Sequence, residues 1–238
     1  MTQQSAVATE GKPLKKLILP ALGNLLLGVI ALGVVLFLPA WTLNYWQAWV
    51  FDILFMGLVT VTGVYFSIKD PALMERRKQA GPAAEQSTGQ KIIISFAYLS
   101  LLGVLVFSAF DHRFGWSRMP AYVCIIGAGL VVIANLIWFY VQKENTFVGA
   151  TVRIYAGQKV ISTGPYALVR HPKYVGDLVL ILGIPLALGS WWGLLVLAVS
   201  IPGLAWRIFD EEKLLKKDLL GYVEYMQKVR YRLVPYLW

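Results

Sequence analysis

Residues 164–206 read GPYALVRHPKYVGDLVLILGIPLALGSWWGLLVLAVSIPGLAW, and the fold turns on this stretch. It opens as a polar turn that crowds Tyr166, Arg170, His171 and Tyr174 together, then becomes apolar for some thirty residues with one interruption, Gly189-Ser190. As helix, 175–189 would rise about 22 Å and 191–206 about 24 Å, each short of the ~30 Å hydrocarbon core of a bilayer. The Gly-Ser pair is a turn signal. The stretch therefore predicts a stunted helical hairpin over 175–206, its arms carrying Pro185 and Pro202, with Tyr174 and Arg207 at its base. Directly after it comes Arg207-Ile208-Phe209-Asp210-Glu211-Glu212, a second knot of charge. Membrane proteins keep ionisable residues at depth only where they are paired or used. Two such knots bracketing one hairpin read as a single site.

The rest of the chain agrees with a membrane setting. Of its 238 residues 58% are hydrophobic and 15% charged, a composition outside the soluble range. Further apolar spans fall at about 17–40, 45–68, 92–110 and 119–141. Of the 22 Lys and Arg residues, all but Arg113 and Arg118 fall in the N-terminus, the 69–91 connector, the 142–174 segment or the tail. Under the positive-inside rule both termini and the site are cytoplasmic, in a cytoplasmic-membrane protein. The net charge of +9 is thus a topology signal, and no basic recognition element points to nucleic acid. The first span, with its poor cleavage sequence Leu38-Pro39-Ala40, is expected to be retained. Trp41, Tyr45, Trp46 and Trp49 look like interface anchors. The connector 69–91, with Pro71, Gly81-Pro82 and Gly89, reads first as a solvated loop, with one or two interfacial helical turns over Pro71–Lys78 as the alternative. The expected fold is all-α and integral to the membrane, with about six transmembrane helices. Residues 1–141 supply four of them; 142–238 form a catalytic region of loop, hairpin and amphipathic cytoplasmic tail helix broken near Gly221.

Polar residues refine the picture. Asp52, near the outer end of its span, is expected to face protein or water and to have a structural partner. One cysteine and two separated histidines give neither a disulfide framework nor metal-ligand spacing, so no metal is expected. Gln158 to Ile161 alternate polar and apolar residues before Gly164-Pro165, which suggests a short extended segment and a turn. Arg170 and His171 precede Pro172, a residue suited to the first helical position, so their donors sit beside a helix N-terminus as in an anion site. Arg207 and Glu211 are spaced i, i+4 and share a helical face, either as a salt bridge or divided between ligands. Asp210 and Glu212 are expected to face water, and Tyr222, Tyr225, Arg230 and Arg232 to pack against the membrane base. Asp177, three residues beyond Tyr174, points toward the site.

Ser162 to Tyr166, Arg170-His171-Pro172-Lys173-Tyr174-Val175-Gly176, Arg207 with Glu211-Glu212, Gly221 to Tyr225 and Val229 to Pro235 together form a spaced set of motifs. Over residues 142–235 the chain resembles the isoprenylcysteine carboxyl methyltransferase family, part of a wider group with membrane phospholipid methyltransferases. The resemblance implies S-adenosylmethionine as methyl donor, with S-adenosylhomocysteine as product. It implies that Gln158, Lys159, Val160, Ile161 and Tyr166 line the adenosine part, and that Arg170, His171, Pro172, Lys173, Tyr174 and Glu211 hold the remainder. Arg207 would bind and orient the acceptor, and Arg207 and Glu211 would be the catalytic pair. Lys173 stands at a position the family leaves variable, and Asp177 where family members often carry an uncharged residue.

Chemistry narrows the acceptor. Methyl transfer is an in-line displacement in which positioning and desolvation do most of the work. A carboxylate is already a nucleophile, whereas an amine or phenol needs a proton acceptor such as Glu211, Asp177 or His171. A lipophilic acceptor of the prenylcysteine type, its tail entering between helices from the bilayer, is the leading expectation. Methylation of a lipid amine or other small hydrophobe is the alternative. NADPH-dependent sterol-type reductases share a similar helical layout but lack the Arg-His-Pro and paired-Glu combination.

Overall fold

The computed structural model describes residues 14–238, those at 14–17 as helix only. Eight helices follow one another: α1 Leu14–Ala40, α2 Trp46–Lys69, α3 Pro71–Lys78, α4 Thr88–Phe114, α5 Ala121–Glu144, α6 Pro172–Ala187, α7 Leu195–Asp218 and α8 Tyr222–Lys228. Short 3-10 turns at Pro82–Ala84, Gly164–Ala167 and Trp192–Leu194 link them. No strand occurs among the described residues. Helices α1, α2, α4, α5 and α7 are long and apolar enough to cross a bilayer, so the fold is all-α and integral to the membrane.

The sixth membrane helix is the short one. With 16 residues, α6 rises about 24 Å, less than a full crossing. It turns at Gly189 (φ +76°), a left-handed backbone that glycine adopts without a Cβ clash. Ser190 ties the turn down by donating to the Asp111 carboxylate at 2.5 Å. The other arm differs from expectation: α7 does not stop at Trp206 but runs unbroken to Asp218. The charged run 207–212 therefore belongs to the membrane helix as it emerges, and the tail helix is reduced to α8 after the break at Gly221 (φ +84°).

The connector takes the helical alternative rather than the loop preferred for it. Residues 71–78 form α3, capped by Asp70, whose side chain accepts from the Leu73 N–H at 2.9 Å, with Pro71 in the first turn. Asp before Pro is a helix-start signal, and it outweighs the loop character of the neighbouring glycines and prolines. Tyr45 is not an interface anchor. It is fully buried, donates to the Leu188 carbonyl at 2.6 Å and stacks on His112, whereas Trp41, Trp46 and Trp49 are exposed. Asp52 is fully buried, and neither carboxylate oxygen has a hydrogen-bond partner in the structure, contrary to the structural pairing expected for it.

The core gathers where α1, α2, α4, α5 and α6 meet, around Leu36, Phe51, Val104, Val131, Leu180 and Ile184. Helix α6 lies along α5 in the most extensive contact of the bundle. Three glycines permit it. A Cβ on Gly127 would fall 2.2 Å from the Ala187 nitrogen, one on Gly176 2.6 Å from the Trp138 ring and one on Gly183 3.0 Å from Leu130. Small residues at helix crossings give membrane helices their packing energy in place of the hydrophobic effect. This packing fixes the foot of α6, and with it the site.

Candidate functional site

Pro172 opens α6 and His171 precedes it in non-helical conformation. The chain before it is held by the C-terminal tail: the N–H groups of Arg170 and His171 donate to the carbonyls of Tyr231 and Arg232 at 2.9 and 3.0 Å. The Arg170 side chain continues the same clasp, donating to Val229 and Arg230 carbonyls at 2.9 and 2.7 Å. Its Nε reaches Glu212 at 2.9 Å. Glu212 also meets His171 Nε2 at 3.3 Å and Arg232 at 3.1 Å. It does not face water; only 2% of it is exposed. A buried carboxylate of this kind persists because several charge-assisted bonds replace its hydration.

Above this knot lies a cleft with about 880 Å³ of unfilled space, its mouth included. The residues expected at a donor site all line it, Gln158, Lys159, Val160, Ile161, Tyr166, Arg170, His171, Pro172, Lys173, Tyr174 and Glu211, and so does Arg207, expected to orient the acceptor. They differ in what they present. Residues 158–161 form an irregular wall without helix or strand, in which the Gln158 side chain caps its own turn by accepting from the Tyr155 N–H at 2.9 Å. Tyr166 is fixed by Asn145, which donates to its oxygen at 3.0 Å, and its carbonyl accepts from Tyr225 at 2.7 Å. Arg170 lines the cleft, but its bonds point into the Glu212 knot. Glu211 accepts from the Tyr174 hydroxyl at 2.5 Å.

Tyr222 and Tyr225 do not merely pack on the membrane base, for both help line this cleft. Burial pushes the hydroxyls of Tyr166, Tyr222 and Tyr225 above the ordinary phenol range. At neutral pH they are hydrogen-bond groups and aromatic faces, not bases. Two hydroxyls on the cleft wall, those of Thr151 and Tyr222, are buried without a partner, as in a pocket shaped for a polar ligand. Tyrosine faces and the Glu211 carboxylate can meet a positive group, while Lys159, Lys173 and Arg207 on the same wall can meet a negative one, so the cleft suits a ligand that carries both. Among the described residues no cluster of His, Cys, Asp and Glu has the geometry of a metal site.

Arg207 stands at the inner edge of the cleft, 6% exposed. It makes no salt bridge with Glu211, the partner that their i, i+4 spacing suggests. Its guanidinium instead donates to Glu85 at 2.9 Å, to Gln90 at 2.7 Å and to the Tyr174 hydroxyl at 3.1 Å. Glu85, with its other oxygen, accepts from the Val152 N–H at 3.0 Å, and Gln90 donates to Asp210 at 2.5 Å. Asp210 is thus half-buried and bonded rather than simply water-facing. Glu85 and Gln90 escape sequence reasoning, because both sit in the connector, more than a hundred residues from Arg207, with no motif around them. The one local hint is Ser87, which caps α4 through the Gln90 N–H.

A second cavity adjoins the first. Its walls are mostly apolar and come from α4, α6 and α7, with Trp138 of α5. Lys173, Tyr174 and Arg207 line both spaces, so they form the partition between a polar cleft and an apolar groove. Asp177 belongs to the groove, where it accepts from Trp138 Nε1 at 2.9 Å and Lys173 at 3.1 Å.

Residues 122–219 match the family described as phospholipid methyltransferase. That segment contains α5, α6, α7 and most of the cleft. A Mus musculus protein named Delta(14)-sterol reductase TM7SF2 is 29% identical over 130 residues, covering 46% of this chain. The chain spans only 30% of that relative's length.

Proposed function

We propose, from the match of residues 122–219 to the phospholipid methyltransferase family, that this protein methylates a lipophilic acceptor using S-adenosylmethionine. The carrying observation is the pair of adjoining cavities, one polar and one apolar, that share Lys173, Tyr174 and Arg207. When bound, the donor supplies an electrophilic methyl group on a sulfonium. In this reading Val160 and Ile161 hold the adenine between apolar side chains and backbone polar groups. Glu211 and the tyrosine faces meet the positive end. His171 and Arg170 act chiefly through Glu212, which fixes the foot of α6 and so the cleft wall.

Arg207 orients the acceptor head at the partition, and the acceptor tail lies in the groove. A carboxylate head of the prenylcysteine type needs no base and matches the two cations there. For a lipid amine, Asp177 or Glu211 would have to take the proton. Catalysis then consists of alignment and exclusion of water, to which buried Glu85, Gln90 and Tyr174 contribute by fixing Arg207.

The likeness to a sterol reductase supports a second reading, in which the cleft takes NADPH. Titrating the purified protein with S-adenosylhomocysteine and with NADPH, followed by calorimetry, separates the two. We expect saturable binding of the first only. Glu211→Gln should weaken it at least tenfold, while Arg207→Ala should leave it within a few-fold and suppress turnover. Binding of NADPH alone overturns the methyltransferase reading.

A further inference from the structure

Arg207 and Glu211 lie one turn apart on the same face of α7, the spacing at which opposite charges meet on a helix. No direct ion pair forms between them. The Tyr174 hydroxyl, arriving from α6, stands in the gap: it accepts from Arg207 Nε at 3.1 Å and donates to Glu211 Oε2 at 2.5 Å. A phenol has one proton to give, so the order is fixed, guanidinium to hydroxyl to carboxylate. The ring that carries this hydroxyl is itself clamped. His171 stacks on it with centroids 5.7 Å apart, and the Lys173 ammonium lies 4.8 Å from its centroid. Its backbone N–H donates to the His171 carbonyl at 3.0 Å. Arg207 is held from its other side by Glu85 and Gln90. Glu211 is the mobile member. It is half-buried, and among the described residues the Tyr174 hydroxyl is its only hydrogen-bond partner.

We propose that the Tyr174 hydroxyl is a spacer that holds the Glu211 carboxylate off Arg207 and leaves it facing the polar cleft. Glu211 is the only acidic residue on the cleft wall among the described residues, against Arg153, Lys159, Arg170, Lys173 and Arg207. Without the hydroxyl, Arg207 Nε and Glu211 both lose a partner, and a charged group stripped of its partner is costly. The flexible carboxylate then turns back onto the fixed guanidinium and forms the ion pair that the spacing permits. The cleft keeps only its basic side chains, and the positive end of the donor has no counter-charge. Tyr174 is thus a positioning residue that acts through Glu211. That the positive group belongs to a methyl donor rests on the methyltransferase reading; the spacing rests on the geometry alone.

The experiment uses the full chain in detergent micelles and measures S-adenosylhomocysteine binding by calorimetry. Tyr174→Phe keeps the clamped ring and removes only the hydroxyl. It should fold with a near-native thermal midpoint, because the collapsed ion pair satisfies both groups, yet bind about tenfold more weakly. The deciding variant is Tyr174→Phe combined with Arg207→Ala. With no guanidinium to collapse onto, Glu211 stays in the cleft, and binding should return to the level of Arg207→Ala alone. A hydroxyl that served only the fold, or that bonded the ligand itself, would leave the double variant as weak as Tyr174→Phe. That result overturns the spacer. So does wild-type binding by Tyr174→Phe, or a Tyr174→Phe chain that fails to fold. If the wild type itself does not bind S-adenosylhomocysteine, the methyltransferase reading fails, and the spacer is judged without ligand. Arg207→Ala and Glu211→Gln should then couple more strongly in their thermal midpoints in the Tyr174→Phe background than in the wild type. Equal coupling in the two backgrounds overturns it.

Discussion

Glu212 holds three basic groups from two distant segments with one carboxylate, and this makes it the residue on which the cleft depends most. Arg170 and His171 come from the turn before α6, and Arg232 comes from the tail. Removing one member of a buried ion cluster leaves the others desolvated without a counter-charge, a cost of about 3–5 kcal/mol. Glu212→Ala is therefore expected to lower the thermal midpoint far more than Glu211→Ala, whose carboxylate accepts a single hydroxyl hydrogen bond. Thermal unfolding of the two purified variants in the same detergent checks it, and equal midpoints would remove Glu212 from this role. The two glutamates also show where sequence stops being informative. Adjacent helical positions point about 100° apart, so only one of the pair can face a given neighbour, and nothing local says which. The motif Arg170-His171-Pro172 was legible as part of a site. That Arg170 spends its donors on Glu212 and the tail carbonyls was not, because those partners lie 42 and about 60 residues away. Arg207 misleads for the same reason, since its i+4 neighbour Glu211 is nearby in sequence and Glu85 is nearby in space.

The helices themselves were largely readable, because hydropathy over twenty residues is a strong signal. The spans expected at 45–68 and 119–141 appear at Trp46–Lys69 and Ala121–Glu144. The misread membrane helix is α7, where the charges of 207–212 look like the end of a helix in a hydropathy profile. Those side chains are paired in the structure, so the backbone has no reason to break until Leu219. Packing between helices was not readable at all. It rests on glycines that, from composition, look alike. Gly127 and Gly129 lie on the same helix, yet a Cβ on the first would enter the α6 backbone and one on the second meets nothing within 4 Å. Gly127→Val should therefore push α6 off α5 and abolish both the folded species on size exclusion and any S-adenosylhomocysteine binding. Gly129→Ala should be neutral or stabilising by up to about 1 kcal/mol, the helix propensity gained. If Gly127→Val elutes and binds like the wild type, the α5–α6 contact does not position the site.

At the scale of the molecule, the bundle is asymmetric in the direction that matters for function. The cleft, the Glu212 knot, the connector helix α3 and the tail lie together at one end of the helices, while Asp111, Ser117 and Ser190 close the other. The Lys and Arg residues of the connector, of 142–174 and of the tail belong to segments at the cleft end, and Arg113 and Arg118 to the other. The surface charge of a cytoplasmic leaflet and the insertion machinery both favour that end inside. We expect the cleft to open to the cytoplasm, where a water-soluble methyl donor is available, with the tail groove reached from the inner leaflet. The chain is well suited to a direct check, because its single cysteine, Cys124, is buried and should stay silent toward a membrane-impermeant maleimide. Leu220 is 97% exposed beside the tail helix, and Arg118 is exposed in the loop between α4 and α5 at the opposite end. In intact cells, Arg118→Cys should label and Leu220→Cys should label only after the membrane is opened. The reverse pattern would put the cleft on the outer side, out of reach of the donor, and would overturn the proposed activity along with the topology.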